Sequence, residues 1–223
     1  MAKRIFLSPS NQFNNKYAYG NTTEGVQCGK VATALQTALK RCGFDVKLMH
    51  EENMDAKVPV ADKWGADLYI PIHSNACNGK VSGTRMFCYS TASKGYTACK
   101  AIYKYLAPLT PGTSENISAD PTLYETRMPD APTAYIEIDF HDVASVAKWI
   151  IEHTEDIAEA ICKGVCDYFG VKYVAPVVPK TEPNPTTNTI YRVQVGAYSV
   201  KANAEAMQKK LKNAGFDAII VQK

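Results

Sequence analysis

The spacing of apolar residues changes period several times along the chain. Arg4–Leu7 reads as a short buried strand running into a polar turn, Ser8-Pro9-Ser10-Asn11-Gln12. From Thr23 to Cys42 the pattern is helical: Val31, Ala34, Leu35, Ala38, Leu39 and Cys42 form one apolar face. Gly43 ends that helix, and Phe44–Met49 reads as a second strand. A short helix over Ala56–Trp64 is closed by Gly65. Asp67–His73, "DLYIPIH", is apolar on both faces, as a central parallel strand is. Gly83–Tyr89 is strand-like, and Ala98, Ile102 and Leu106 mark a helix over Ser93–Leu106 that Pro108 and Pro111 stop. Residues 111–130 read mainly as loop. Ala131–Phe140 is a further buried strand, and helices are expected over Val143–Ile150 and Thr154–Phe169.

This alternation predicts an α/β fold with a mostly parallel central sheet flanked by helices. In such sheets ligands bind beyond the carboxyl ends of the strands. Those ends are "SPSNQ", "HSN" and "EIDFHD". After residue 173 the pattern stops. "APVVPKTEPNPTTN", Ala175–Asn188, has the composition of an extended, proline-rich linker. Beyond it, Ile190–Ser199 alternates like a strand, Lys201–Ala214 is amphipathic, and Asp217–Val221 reads as another strand. The expected division is a domain over 1–173, a linker over 174–188 and a small βαβ module over 189–223. That module is too small to bury a core alone.

Composition narrows the partners. A net charge of +3 over 223 residues does not by itself suggest nucleic acid. No apolar run approaches the roughly 18 to 20 residues that span a bilayer, so membrane insertion is not expected. Met1-Ala2-Lys3-Arg4-Ile5 enters a strand without a signal-peptide pattern, so the chain is expected to be made in the cytoplasm. Action outside would then need a separate release step, such as a holin or lysis. Seven cysteines, an odd number without a CxxC pair, argue against a disulfide framework and are expected to be reduced and mostly buried.

Few ionisable residues sit at the strand ends. Glu137 lies inside an otherwise apolar strand, where a carboxylate is costly unless it binds a metal, pairs with a charge or takes up a proton. Asp139 and His141 follow at two-residue intervals, on the face of Glu137 while the strand stays extended. His73 ends the central strand; a lone histidine there is more often packed than ligating. Glu24 opens the first helix, where favouring the helix dipole or capping with Thr22 or Thr23 explains it without function. Cys77, near His73, has no second cysteine at ligand spacing.

Taken together, "GADLYIPIHSNACNGKVSGTRMFCYS", "NTTEGVQCGKVATALQTALKRCGFDVKLMH" and "RMPDAPTAYIEIDFHD" resemble, in order and spacing, the zinc-dependent N-acetylmuramoyl-L-alanine amidases of the amidase 3 type. The resemblance covers about residues 3–170. It implies a Zn2+ ion held by Glu24 and His73, with Glu137 as the catalytic carboxylate. The bond implied joins the lactyl group of muramic acid to L-alanine of the stem peptide, which makes bacterial peptidoglycan the partner. The family turn, roughly I-D-P-G-H, lays Ser8-Pro9-Ser10-Asn11 over its last four positions, so Asn11 stands where a histidine ligand is expected. Three options follow: the amide of Gln12 or Asn11 ligates; His141 ligates or assists catalysis; or the site holds metal poorly and the chain is a weak peptidoglycan-binding or regulatory protein. Asn75 and Arg85, with Arg127, are candidate substrate contacts, although surface solvation explains each as well. The tail, "VQVGAYS" with the helix and "GFDAIIV" after it, resembles the SPOR module, which binds peptidoglycan. One βαβ copy instead of two suggests a homodimer through the tail. A phage-type endolysin or an autolysin is the expected class. No Gly-x-Ser-x-Gly elbow supports a metal-free α/β hydrolase.

Overall fold

The computed structural model describes residues 2–50, 53–177 and 193–221. It divides into two compact units, residues 1–177 and 178–223. In the first, β1 (Arg4–Pro9) leads to α1 (Glu24–Arg41), β2 (Asp45–Leu48), a 3-10 turn (Met54–Ala56) and α2 (Lys57–Trp64). Then come β3 (Leu68–Asn75), β4 (Arg85–Cys88), α3 (Lys94–Leu106), β5 (Asn116–Ala119) and α4 (Tyr124–Arg127). The unit closes with β6 (Tyr135–Phe140), α5 (Ala144–Glu152) and α6 (Thr154–Phe169).

Six strands form one sheet in the order β2-β1-β3-β6-β4-β5. The first four run parallel, and β4 turns antiparallel to β6 with β5 parallel to it. Strand β3 is buried from Leu68 to Ser74, as its unbroken apolar run requires at the sheet centre. Ile5 and Leu7 of β1 and Ile70 and Ile72 of β3 face a large core shared with α1, α3 and α6. Phe6 and Tyr69 face the other way, stacked at 5.2 Å beneath α2. Gly164 lets α6 lie close on α3: a Cβ there would meet the Ile102 Cα at 2.3 Å.

Two short elements, β5 and α4, occupy the stretch that reads as loop in the sequence. Each is four residues long, below the window in which a period can be recognised. The second departure is a bulge. Ile72 and His73 pair with Ile136 and Glu137, but Asn75 pairs with Phe140. β6 carries one residue more than β3 across that step, which reverses which side its later residues face. His141 therefore does not share the face of Glu137; it lies beside Ser74, on the α1 side of the sheet.

In the second unit, α7 (Lys201–Asn213) forms as its pattern predicts. The flanking strands do not: residues 193–198 and 216–221 carry no strand pairing, and the expected strand residues 190–192 and most of the linker lie outside the described residues. A lone helix offers such segments no backbone partner, and Val193, Val195, Phe216 and Ile219 are left exposed.

Candidate active site

Loop, helix and strand ends meet beyond the carboxyl ends of β1, β3 and β6. The loop after β1 folds onto the start of α1 through backbone bonds from Glu24 to Asn15 (2.8 Å) and from Gly25 to Gln12 (3.1 Å). Gly25 makes room for this: a Cβ there would meet the Phe13 ring at 2.8 Å. His50, just beyond β2, packs its ring against Phe13 at 5.1 Å, tilted by 30°, and meets the Ser10 carbonyl at 3.1 Å, so it braces the loop.

Glu24 is not a cap. Thr23 makes no side-chain cap bond, and the Glu24 carboxylate, almost wholly buried, turns inward. Its Oε1 lies 2.9 Å from His73 Nδ1 and 3.4 Å from the Gln12 amide, and its Oε2 accepts from Asn15 Nδ2 at 2.7 Å. Burial opposes its charge, but His73, Ser10 and Asn15 outweigh burial and hold it below the usual carboxylate range. The Gln12 Oε1 accepts from Asn15 at 3.2 Å; amide oxygen and nitrogen are interchangeable by a flip, which would turn the oxygen toward Glu24. Asn11, one residue earlier, is half-buried, and its carbonyl accepts from Phe13.

His73 stacks on Tyr135 at 4.8 Å. Its Nε2 faces a carboxylate that the sequence reading passes over: Glu125 of α4, with Oε2 at 3.7 Å. Glu125 is buried, and its Oε1 accepts from both the Ser8 hydroxyl and the Tyr69 hydroxyl. Burial lowers the pKa of His73, but Glu125, Glu24 and Glu137 overcome it and push it up to about 9. Glu125 itself is kept ionised against burial by His73, Ser8 and Tyr69. A signal for it existed: Tyr69 sits inside the apolar central strand, and a buried tyrosine hydroxyl needs a partner.

Glu137 pairs in register with His73 on one side and Arg85 on the other. Its Oε2 is enclosed without a hydrogen-bond partner among the described residues. Burial, with a smaller contribution from Glu24, raises its pKa to about 8 against the pull of His73. Arg85 lays its guanidinium 5.6 Å over Phe140. Asn75 holds the Ala76 amide with its own Oδ1, and Arg127 is exposed. Asp139 is absorbed by the backbone, accepting from Gly83 and Phe140 at 2.6 Å each. His141 meets Ser74 Oγ at 3.0 Å and stacks on Tyr17 at 4.7 Å; burial lowers its pKa, and its Nε2 has no described partner. His153 pairs with Asp156 on the surface.

The donors around Glu24 and His73 suit a hard-to-borderline dication: a buried carboxylate oxygen and an imidazole nitrogen face each other, with an amide alongside. Among the described residues, the group of three or more His, Cys, Asp or Glu ligating atoms within 4.8 Å of one another is Cys42, Cys162 and Cys166, not one at this site. A third ligand beside Glu24 and His73 is thus not supplied by those residue types as they are placed. The cysteine group lies between α1 and α6, and burial raises the pKa of Cys162 and Cys166, which keeps them as packed thiols. All seven cysteines are free, and Cys77 alone among them is exposed.

Comparisons with known proteins bear on the family and the fold. A family model described as N-acetylmuramoyl-L-alanine amidase matches residues 11–167, and a SPOR domain model matches residues 173–222. The sporulation-specific N-acetylmuramoyl-L-alanine amidase of Bacillus subtilis (strain 168) is 24% identical over 229 residues, covering 99% of this chain and 85% of its own. The catalytic domain of CwlV, an N-acetylmuramoyl-L-alanine amidase from Bacillus (Paenibacillus) polymyxa var. colistinus, superposes with a TM-score of 0.69 at 18% identity, covering 76% of this chain and 99% of that one. The catalytic domain of the CD27L endolysin, described as targeting Clostridia difficile, gives 0.64 at 22% identity over 74% of this chain and 97% of its own.

Proposed function

The chain belongs to the N-acetylmuramoyl-L-alanine amidase family, with a SPOR match at its C-terminus, and from that premise we propose that it cleaves the muramoyl–L-alanine bond of peptidoglycan with zinc held by Glu24, His73 and the amide of Gln12. The observation that carries this reading is Glu24 Oε1 facing His73 Nδ1 at 2.9 Å, with the Gln12 amide 3.4 Å from the same oxygen. Zinc supplies a Lewis acid for the scissile carbonyl and lowers the pKa of water. Glu137 takes the proton of the attacking water on its unpartnered Oε2 and gives it to the leaving amine. Its raised pKa suits the acid half of that cycle, and a dication beside it favours the ionised form needed for the base half. Tyr135, stacked on the His73 ring, covers it, and the ring is buried.

Gln12 is preferred over His141 because the bulge in β6 carries His141 to the other face, where Ser74 and Tyr17 engage it. Its unpartnered Nε2 is what keeps an assisting role for it in view. The discriminating measurement is zinc affinity by chelator competition. Gln12→Ala weakens binding about tenfold or more and Gln12→His strengthens it, while His141→Ala changes it little. A large loss in His141→Ala with none in Gln12→Ala reverses the assignment.

The overall reading is tested by metal analysis and wall clearing together. Stoichiometric zinc, loss of clearing on chelation, recovery with added zinc and loss in Glu137→Ala are expected, with new alanine amino termini as product. Wall binding without zinc, and clearing unchanged in Glu137→Ala, would instead identify a wall-binding protein. The exposed apolar segments on either side of α7 support a second proposal, that two modules pair through them as a homodimer. The route by which the protein reaches the wall is tested by locating it before and after lysis.

A further inference from the structure

His73 is approached by carboxylates at both ring nitrogens, and the two cannot serve one ion. Glu24 meets Nδ1 at 2.9 Å, while Glu125 faces Nε2 from the far side of the ring at 3.7 Å, an ion-pair distance longer than a hydrogen bond. The buried Nε2 has no hydrogen-bond partner among the described residues, so Glu125 is the acceptor placed to close on it. No ionisable group beyond these two pairs with the His73 ring nitrogens among the described residues. Glu125 is aimed by others: the Ser8 and Tyr69 hydroxyls both bind its Oε1, which leaves Oε2 for the ring. α4, which carries it, is fixed by the Thr126 hydroxyl on the carbonyls of Asp120 (2.6 Å) and Leu123 (2.9 Å). Tyr135, stacked on the ring, stops it from swinging away.

We infer that Glu125 is a positioning residue that holds the proton of His73 on Nε2 and so presents Nδ1, on the Glu24 side, as the ligating nitrogen. This rests on the zinc reading above and goes beyond it, because it decides which nitrogen binds and names what decides it. Imidazole ligates through a lone pair, and which nitrogen keeps one is set by the hydrogen bond at the other. A carboxylate behind a ligating histidine also raises its basicity, and loss of such a partner typically costs about 10–100-fold in metal affinity. Ser8 and Tyr69 act one step further out, by keeping the Glu125 carboxylate turned toward the ring.

The experiment compares the full chain with Glu125→Gln, Glu125→Asp and Ser8→Ala. Zinc affinity is read by competition with a chromophoric chelator, and the His73 ring by nitrogen-15 NMR of the zinc-loaded protein. In the parent, a slowly exchanging proton on Nε2, shifted downfield, is expected. Glu125→Gln, which keeps the shape and an acceptor for Ser8 and Tyr69, binds zinc about 10–100-fold more weakly and moves that proton upfield. Glu125→Asp restores part of the affinity, and Ser8→Ala falls between parent and Glu125→Gln. An affinity for Glu125→Gln within twofold of the parent overturns the inference, as does a ring proton found on Nδ1 in the zinc-loaded parent. If Glu125→Gln fails to fold, Ser8→Ala with an unmoved Nε2 proton and unchanged affinity overturns it. A parent that binds no zinc defeats the underlying zinc reading instead, and so the two failures are distinct.

Discussion

At Glu137 the fold keeps a carboxylate where burial disfavours its charge, and this has a cost that a substitution exposes. With its pKa raised from 4.5 to about 8, the folded metal-free protein holds a proton there that the unfolded chain releases. Stability therefore falls as pH rises between those values, because unfolding then releases that proton. Glu137→Gln removes that slope. The variant should match the parent's stability near pH 4 and exceed it by pH 8, by roughly 4 kcal/mol for a shift from 4.5 to about 8, while its turnover drops about 100-fold or more. Differential scanning calorimetry of the metal-free proteins across that range, set beside wall clearing of the zinc-loaded ones, checks both halves. Equal melting temperatures at pH 8 would mean that Glu137 ionises as readily in the folded protein as in the unfolded chain. Ser8 falls where the family's turn has an aspartate, and its hydroxyl donates to Glu125 of α4.

Between elements, what the sequence shows depends on length. α1, α3, α6, β3 and the apolar run of β6 are long enough to be read directly, and Glu24, His73 and Glu137 lie on α1, β3 and β6. α4 and β5 offer four residues each, so Glu125 goes unnoticed although it is buried beside His73. The bulge is illegible for another reason: one extra residue in β6 is visible only against its partner β3, and alternation alone puts His141 on the wrong side. Helix packing yields a test of its own. Gly164→Ala pushes a methyl into the Ile102 backbone and the Ala101 carbonyl, which a flexible side chain cannot relieve. The variant should lose roughly 1–3 kcal/mol of stability by urea denaturation, with zinc affinity unchanged in the folded fraction, because the α3–α6 contact lies away from the site. A loss under about 0.5 kcal/mol, the scatter of ordinary surface changes, would show that the helices part easily.

For the whole molecule the two units make separable contributions. Residues 1–177 hold the core and the site residues, while residues 193–221 present α7 with exposed apolar flanks. A chain ending at residue 177 should keep its fold and its zinc and lose wall retention in a pull-down with purified sacculi. On the homodimer proposal it should also sediment as a monomer while the full chain sediments as a dimer. A full chain that stays monomeric at tens of micromolar, with residues 193–221 strongly protected in hydrogen exchange, would show that a single module orders itself. The described residues contain no helix long and apolar enough to cross a membrane; separately, the SPOR match supports attachment to peptidoglycan.

β6 comes last among the strands in sequence yet lies inside the sheet, between β3 and β4. A chain leaving the ribosome has β1, β2 and β3 in hand long before the strand that joins them to β4 and β5, and before Glu137. Such distant pairings close late in folding. Prematurely terminated or clipped chains that end before residue 135 therefore lack both Glu137, the carboxylate proposed to be catalytic, and the strand that completes the sheet. A producing cell would be protected from partial products of this enzyme by the order in which the chain is made.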